Sequence, residues 1–184
     1  MVSENFIKKE FTMKLIMTDR PLPLTSAASG GEIRYVDLSS LKIANCIGCF
    51  GCWTKTPGRC VIRDDATRVY PLIAESDEVV YVSRLRYGGY DSVMKTMLER
   101  AIPVQQAFIC IHNGETHHVQ RAVAPKKATI VAYGDYSDEE KDIFRQLVGR
   151  NAHNMNFTGY DILFTASDDA DGVVEKIVSQ WKKY

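Results

Sequence analysis

Five short apolar runs along the chain have the length of β-strands, and helical patterns separate most of them. The runs span residues 13–18, 32–38, 78–83, 128–133 and 160–165. Several are almost continuous in Val, Ile, Leu, Met and Tyr, as strands buried on both faces of a parallel sheet should be. The alternation predicts one α/β domain over residues 1–184, in which helices flank a mostly parallel sheet.

Four segments carry apolar residues at helical spacing. The first follows Asp64 and Asp65, which are placed to cap its start, and Pro71 is expected to kink or shorten it. The second spans about residues 91–102, the third follows a capping box of Ser137 and Glu140, and the fourth is a terminal helix that ends in lysines at 182–183. The gap at 103–125 is expected to be a long loop, of the kind that forms lids or interface arms.

The composition narrows the class of protein. The chain has 184 residues, of which 45% are hydrophobic and 25% charged, so disorder, collagen and a membrane span are excluded. Because Lys plus Arg and Asp plus Glu each number 23, the zero net charge predicts no nucleic-acid or membrane partner. Residues 1–12 are charged and lack the pattern of a secretory signal, so we expect a cytoplasmic protein with reduced thiols.

Four of the five cysteines form a C-x2-C-x2-C-x7-C pattern with interleaved glycines, made of Cys46, Cys49, Cys52 and Cys60. The first three spacings match those of ferredoxin runs, whereas zinc sites more often pair two separated C-x2-C knuckles, so a [4Fe-4S] cluster is the leading metal interpretation. The alternative is a compact Gly-rich loop of reduced, partly buried thiols without metal. Cys110 lies in an apolar run and is expected in the core.

The segment from 41 to 103 resembles the flavodoxin-like NAD(P)H-dependent FMN reductases, a family that includes the iron-sulfur flavoproteins. The matching stretches are KIANCIGCFGCW at 42–53, PGRCVIRDD at 57–65 and SDEVV at 76–80, followed by Ser83, Tyr87-Gly88, Met94-Lys95 and Glu99-Arg100. The rest of the chain fits the family's strand and helix order more loosely.

This resemblance implies a flavodoxin-like three-layer sandwich with a five-stranded parallel sheet of order 2-1-3-4-5. It also implies FMN at the carboxyl ends of strands 1, 3 and 4, and assembly into a homodimer or tetramer. For the iron-sulfur branch it implies a [4Fe-4S] cluster on the four cysteines. The expected activity is hydride transfer from a nicotinamide nucleotide to flavin and on to a small-molecule or flavin acceptor.

The chain departs from the family after the first strand. Only thirteen residues, 19–31, connect the first two strands, so the first helix is expected to be reduced or missing. The N-terminus of that helix ordinarily holds the FMN phosphate, and losing its N–H groups predicts weak or absent FMN. The alternative function is therefore that of a divergent, non-catalytic family member that has lost FMN and acts as an anion-binding or cluster-bearing module.

Arginines follow the first and third strands, where open α/β sheets bind ligands. We therefore expect Arg20, Arg84 and Arg86 to grip an anion in place of the missing helix, although ion pairs with Asp19, Asp91 or Asp135 are the plainer interpretation for each one.

The second flavin loop of the family reads Ser-Pro-Val-Tyr-Tyr-Gly, where this chain has Ser83, Arg84, Leu85, Arg86, Tyr87 and Gly88. Tyr87 is expected to stack on the flavin ring, or else to pack a dimer face. Relatives place backbone against the flavin where this chain has Gly134 and Asp135. His112, His117 and His118 lack the spacing of zinc ligands and are expected to be surface or interface residues.

Overall fold

The computed structural model describes residues 12–24, 32–112 and 114–181. Its main sheet has five long parallel strands, and their spatial order is β2-β1-β3-β7-β8. This order confirms the flavodoxin-like fold, and the strands lie at the positions that the apolar runs predict. They are β1 (Lys14–Thr18), β2 (Ile33–Asp37), β3 (Glu78–Arg86), β7 (Lys126–Tyr133) and β8 (Phe157–Thr165).

Helices cover both faces of this sheet. On one face lie α2 (Ala66–Glu75), α3 (Ser92–Glu99) and α4 (Asp138–Asn154), packed on the larger core. On the other face α5 (Ala170–Trp181) packs on Ile16, Val80 and Val131. Because successive strand residues point to opposite faces, neighbouring positions such as Leu15 and Ile16 belong to different cores.

The helix boundaries follow local sequence signals. Pro71 lies inside α2, and the Ser137–Glu140 capping box begins α4 as predicted. The α3 helix ends earlier than expected, and residues Ile102–Val104 form a 3-10 turn that contains Pro103. Between β1 and β2 the described residues contain no helix; residues 25–31 and the lysines at 182–183 lie outside the described part of the chain.

The prediction of a long loop at 103–125 is wrong. The segment forms an antiparallel hairpin of β5 (Gln105–His112) and β6 (Glu115–Gln120), separate from the main sheet. The sequence carries the signal for it, because Asn113-Gly114 is a preferred turn dipeptide between paired strands. Cys110 lies exposed on β5 and not in the core, because β5 belongs to a two-stranded hairpin that is separate from the main sheet.

Two short elements complete the chain. The strand β4 (Gly89–Tyr90) pairs antiparallel with the end of β3, and α1 (Gly51–Thr54) lies within the cysteine-rich segment. Within the described ranges, no helix has both the length and the apolar character needed to cross a membrane.

Candidate functional site at the carboxyl edge of the sheet

A buried carboxylate, Asp19, lies where β1 ends. Its Oδ2 accepts hydrogen bonds from the Ser83 hydroxyl at 3.0 Å and from the Arg84 backbone N–H at 2.7 Å. Its Oδ1 accepts one from the Tyr133 hydroxyl at 2.7 Å. The Asp19 carboxylate thus links the ends of three parallel strands, β1, β3 and β7, at the edge where open α/β sheets bind ligands.

Burial controls the ionisation of this network. Burial raises the pKa of Asp19 above its usual range, although the three hydrogen bonds partly oppose the change. The pKa of Tyr133 is also raised, by burial and by its bond to Asp19, so this hydroxyl stays protonated and donates. The hydrogen-bond donors at this part of the carboxyl edge are therefore occupied by a side chain of the protein itself, the Asp19 carboxylate.

Arg20 is not free to grip an anion. Its Nη2 lies 2.5 Å from Asp171 Oδ1, in the first turn of α5, and its guanidinium lies 5.1 Å from the ring centroid of Tyr133. Arg20 therefore forms an ion pair, which is the alternative that the sequence left open, but its partner is Asp171 and not Asp19, Asp91 or Asp135.

The other two arginines remain available to a ligand in different degrees. Arg86 Nε lies 3.8 Å from Asp91, so their ion pair is loose and half-exposed. The Arg84 side chain is exposed, and among the residues that the structure describes it has no ion-pair partner. Arg84 thus remains the freest of the three arginines, Arg86 is partly available, and Arg20 is paired.

Tyr87 and Gly88 form the two-residue turn between β3 and β4, and both have positive φ, 53° and 71°. A tyrosine is unusual in this conformation, and here its side chain is 91% exposed. A Cβ at Gly88 would lie 2.5 Å from Ile143 of α4, so only glycine fits this position. The turn therefore presents an aromatic ring to solvent in a strained conformation, which is a mark of functional sites.

The remaining predicted residues divide between core and edge. Leu85 and Ser83 are each 1% exposed, so their side chains face the interior. Gly134 has φ +123° and donates its N–H to the Thr165 carbonyl at 3.2 Å, and Asp135 is exposed next to it. The predicted side chains that the edge presents to a ligand are thus those of Arg84, Arg86, Tyr87 and Asp135.

A cavity of about 770 Å³ opens beside the Tyr87 turn, between α3 and α4. Its volume lies within the range of small-molecule sites. It extends from the carboxyl edge to the base of the hairpin, and its lining includes Arg86, Tyr87, Lys95, His118, Leu147 and Asn151.

The cysteine loop lies at the far end of this cavity. His118 packs against Trp53 of α1, with ring centroids 4.6 Å apart. Trp53 Nε1 also donates to the Gln105 carbonyl at the start of β5. The cavity therefore extends from the Tyr87–Gly88 turn toward the segment that carries the cysteines.

Positive φ angles at Gly48 and Phe50 turn the cysteine loop sharply. Cys46 and Cys49 are exposed, whereas Cys52 and Cys60 are half-buried. Burial raises the pKa of the Cys52 thiol, and the thiolates of the other three cysteines raise it further. The loop thus contains two exposed and two half-buried thiols.

A buried arginine, which the sequence did not single out, holds this loop. Arg100 at the end of α3 is 1% exposed and binds Asp64 through two bonds of 2.7 and 2.9 Å. It also donates to the Ala44 carbonyl at 2.7 Å and lies 3.4 Å from Cys60 Sγ. Asp64 does more than cap α2, because it joins the helix start to this arginine.

The metal site expected on the four cysteines is not supported by the structure itself. Across residues 12–24, 32–112 and 114–181 no group of three or more His, Cys, Asp or Glu side chains is arranged to hold a metal ion. The His117 ring forms hydrogen bonds with Asn154 and Glu115, and its centroid lies 5.3 Å from that of the His153 ring. His117 therefore lies at the contact between the hairpin and α4.

Sequence comparison finds relatives over part of the chain, and no family model matches it. An iron-sulfur flavoprotein of Archaeoglobus fulgidus is 41% identical over 75 residues, which are 41% of this chain and 33% of that protein. An iron-sulfur flavoprotein of Methanocaldococcus jannaschii is 29% identical over 82 residues, 45% of this chain and 42% of that protein. The chain thus matches less than half the length of these relatives.

Structural comparison extends over almost the whole chain. An azoreductase from Bacillus anthracis superposes with a TM-score of 0.60 at 12% identity, covering 92% of this chain and 96% of that one. An NAD(P)H:quinone oxidoreductase from Methanothermobacter marburgensis gives a TM-score of 0.60 at 10% identity, covering 92% and 96%. An FMN-dependent NADH-azoreductase of B. anthracis, solved with FMN, gives 0.58 at 14% identity, covering 93% and 99%. In partial sequence the chain is similar to iron-sulfur flavoproteins, and in fold to flavodoxin-like FMN-dependent reductases.

Proposed function

We propose that this chain is an FMN-dependent NAD(P)H oxidoreductase of the FMN reductase and iron-sulfur flavoprotein type. The observation that carries the proposal is the exposed Tyr87 ring, held at positive φ beside a cavity of about 770 Å³. Relatives named iron-sulfur flavoproteins and a structural neighbour solved with FMN support the same cofactor.

The residues of the chain would bind and orient the ligand. Tyr87 would stack on the flavin ring, since its side chain is exposed at the turn after β3. Arg84 would attract the phosphate, because its guanidinium is exposed at the same edge. A flavin held by these residues would supply the chemistry of hydride transfer between a nicotinamide nucleotide and a small acceptor.

We also propose that the four cysteines hold a [4Fe-4S] cluster. The support is the C-x2-C-x2-C-x7-C spacing of these residues and the names of the matched relatives. Because the described loop lacks a group arranged for a metal ion, the ligating arrangement would form as the cluster is assembled. Iron and acid-labile sulfide assays on protein purified without oxygen test this, and a metal-free colourless loop contradicts it.

One observation favours a second candidate function. Asp19 places a carboxylate on donors at the carboxyl edge, and Arg20 is paired with Asp171. Such a site disfavours an added phosphate, which supports a non-catalytic module that has lost FMN.

An absorbance spectrum and an FMN titration distinguish these two functions. The reductase binds FMN and accelerates NADH or NADPH oxidation, whereas the non-catalytic module does neither. Replacing Tyr87 by Ala should weaken FMN binding about tenfold or more, and Tyr87→Phe should retain it, because stacking needs the ring and not the hydroxyl. Equal binding by both variants would remove Tyr87 from the site.

A further inference from the structure

The segment that follows β1 has no free backbone N–H among its described residues, 19–24. Positions 21 and 23 are prolines, which have no N–H to offer. The other N–H groups all have acceptors within the chain, which are the Val82 carbonyl for Asp19, the Thr18 hydroxyl for Arg20, the Tyr35 hydroxyl for Leu22 and the Leu22 carbonyl for Leu24. A phosphate therefore finds no main-chain donor in 19–24, where a helix N-terminus would supply several.

The donors at the ends of β3 and β7 are occupied as well. The Ser83 hydroxyl, the Arg84 N–H and the Tyr133 hydroxyl all bond the Asp19 carboxylate. The Gly134 N–H bonds a carbonyl of β8 at 3.2 Å. A phosphate would have to displace these intramolecular acceptors before it could bind, and such an exchange gains no hydrogen bonds.

The charged side chains around these donors give a phosphate little net attraction. Two of the three arginines at this edge are paired with aspartates, Arg20 at 2.5 Å and Arg86 at 3.8 Å. Arg84 has no ion-pair partner among the described residues, but its own backbone N–H bonds the Asp19 carboxylate. One exposed guanidinium beside a buried carboxylate is weakly attractive to an anion, because water screens the guanidinium more than the carboxylate.

The ring-binding part of the same edge is open. The exposed Tyr87 ring lies beside the cavity of about 770 Å³. Charged side chains in the cavity lining are paired, Arg86 with Asp91 and Lys95 with Glu99, each at 3.8 Å. Neutral hydroxyl and amide side chains form much of the remaining polar lining, and they are those of Tyr90, Ser92, Gln105, Asn151 and Asn154. Such a lining suits a neutral ring system.

We propose that this edge binds a flavin that lacks the phosphate, so that the chain takes riboflavin in preference to FMN. Because the proposed function places a flavin ring on Tyr87, this preference rests on that function. The chemistry of a reductase belongs to the ring, which both flavins share, so the preference leaves the proposed reaction unchanged. In this chain the phosphate weakens binding, whereas a cradle of main-chain donors would make it the strongest contact.

Fluorescence titration of the full chain with riboflavin and with FMN at pH 8 measures both dissociation constants. We expect riboflavin to bind roughly tenfold more tightly than FMN, because the phosphate meets occupied donors and a carboxylate. A phosphate cradle would give the reverse order, with FMN bound at least ~100-fold more tightly. FMN that binds as tightly as riboflavin, or more tightly, overturns the preference and leaves the proposed function standing. If neither flavin binds, the proposed function fails and the preference fails with it.

Inorganic phosphate tests the donors of the edge separately from the flavin ring. The two titrations are repeated with excess phosphate, and with sodium chloride at equal ionic strength as the control. Both affinities should be the same in the two buffers, because the described donors are already bonded. Competition by phosphate against FMN alone would reveal a phosphate site and overturn the proposal.

Tyr87→Ala tests whether the two flavins use the same ring site. This variant should weaken both flavins by the same factor, so that the ratio of the two dissociation constants keeps its wild-type value. Phe50→Ala is the matched control, since Phe50 is also an exposed ring at positive φ but lies in the cysteine loop, and it should change neither affinity. A Tyr87→Ala variant that weakens only one flavin would place the two at different sites and contradict the proposal.

Discussion

At the scale of single residues, Asp19 decides how well the carboxyl edge accepts an anion. A phosphate placed at this edge meets a carboxylate that already holds the Ser83 hydroxyl and the Arg84 amide. Because this carboxylate is buried, its charge is weakly screened and opposes the phosphate over several ångströms. Under the proposed function, Asp19 is therefore expected to reduce FMN binding through the phosphate and not through the flavin ring.

Replacing Asp19 by Asn should strengthen FMN binding roughly tenfold while leaving riboflavin, which lacks the phosphate, nearly unchanged. Fluorescence titration with both ligands measures the two affinities. The matched control is Asp135→Asn, since Asp135 is an exposed carboxylate at the same edge and its removal should change little.

The same substitution has a defined pH dependence. Because burial raises the pKa of Asp19, this carboxyl protonates before an ordinary aspartate as the pH falls. The affinity difference between wild type and Asp19→Asn should therefore narrow with falling pH. A difference that is constant with pH, or an equal gain for riboflavin, contradicts the argument.

At the scale of elements, the β3–β4 turn combines backbone strain with an exposed ring. Its two central residues both have positive φ, for which Asn-Gly is the preferred sequence, yet the chain has Tyr87-Gly88. The tyrosine lowers stability and has little packing to offset this, because its ring is 91% exposed. Under the proposed function, a gain in ligand binding would offset this loss of stability.

Tyr87→Asn should therefore raise the free energy of unfolding by about 0.5–1 kcal/mol and weaken FMN binding about tenfold or more. Urea unfolding and FMN titration measure these opposite changes. Phe50→Asn is the matched control, because Phe50 also has positive φ, 54°, yet lies in the cysteine loop. This control should leave FMN affinity unchanged, and a shared loss would show that the Tyr87 effect is not local.

Local signals were sufficient to predict most elements. The apolar runs predicted the five parallel strands, and Ser137 with Glu140 predicted the start of α4 through a contact only three residues long. The length of the gap at 103–125 favoured a loop, and the turn signal of Asn113-Gly114 within it was missed. Elements whose defining contacts are local are thus within reach of sequence reasoning.

The site depends on contacts between distant parts of the chain. The Asp19 network joins residues 64 and 114 positions apart, so it exists only once the strand register is fixed. Likewise, Arg100 reaches Asp64 across 36 positions. Sequence reasoning found the arginines of the edge, but it could not tell which of them folding would pair.

At the scale of the whole molecule, Asp64 and Arg100 join the cysteine loop to the helices on one face of the sheet. Burial raises the pKa of Asp64, but hydrogen bonds from Arg100 and the Ala44 amide outweigh it and lower the pKa below its usual value. A carboxyl with a lowered folded-state pKa stabilises the fold above its unfolded pKa of about 4, and this contribution disappears as the pH falls through the folded value.

Asp64→Asn should therefore lower the free energy of unfolding at pH 7 by about 3 kcal/mol, because it leaves the Arg100 guanidinium buried without its counter-charge. The difference from wild type should shrink as the pH falls below about 4 and disappear once the pH passes the lowered folded-state pKa of Asp64, where the wild-type carboxyl is also protonated. Urea unfolding at both pH values measures it, with Asp138→Asn as the control, since the Asp138 side chain is 95% exposed and its pair with Lys141 contributes little. If Asp64→Asn costs no more than Asp138→Asn at pH 7, the ion pair does not hold the cysteine loop to α3, and other contacts, such as the bond from Trp53 Nε1 to the Gln105 carbonyl, stabilise that loop.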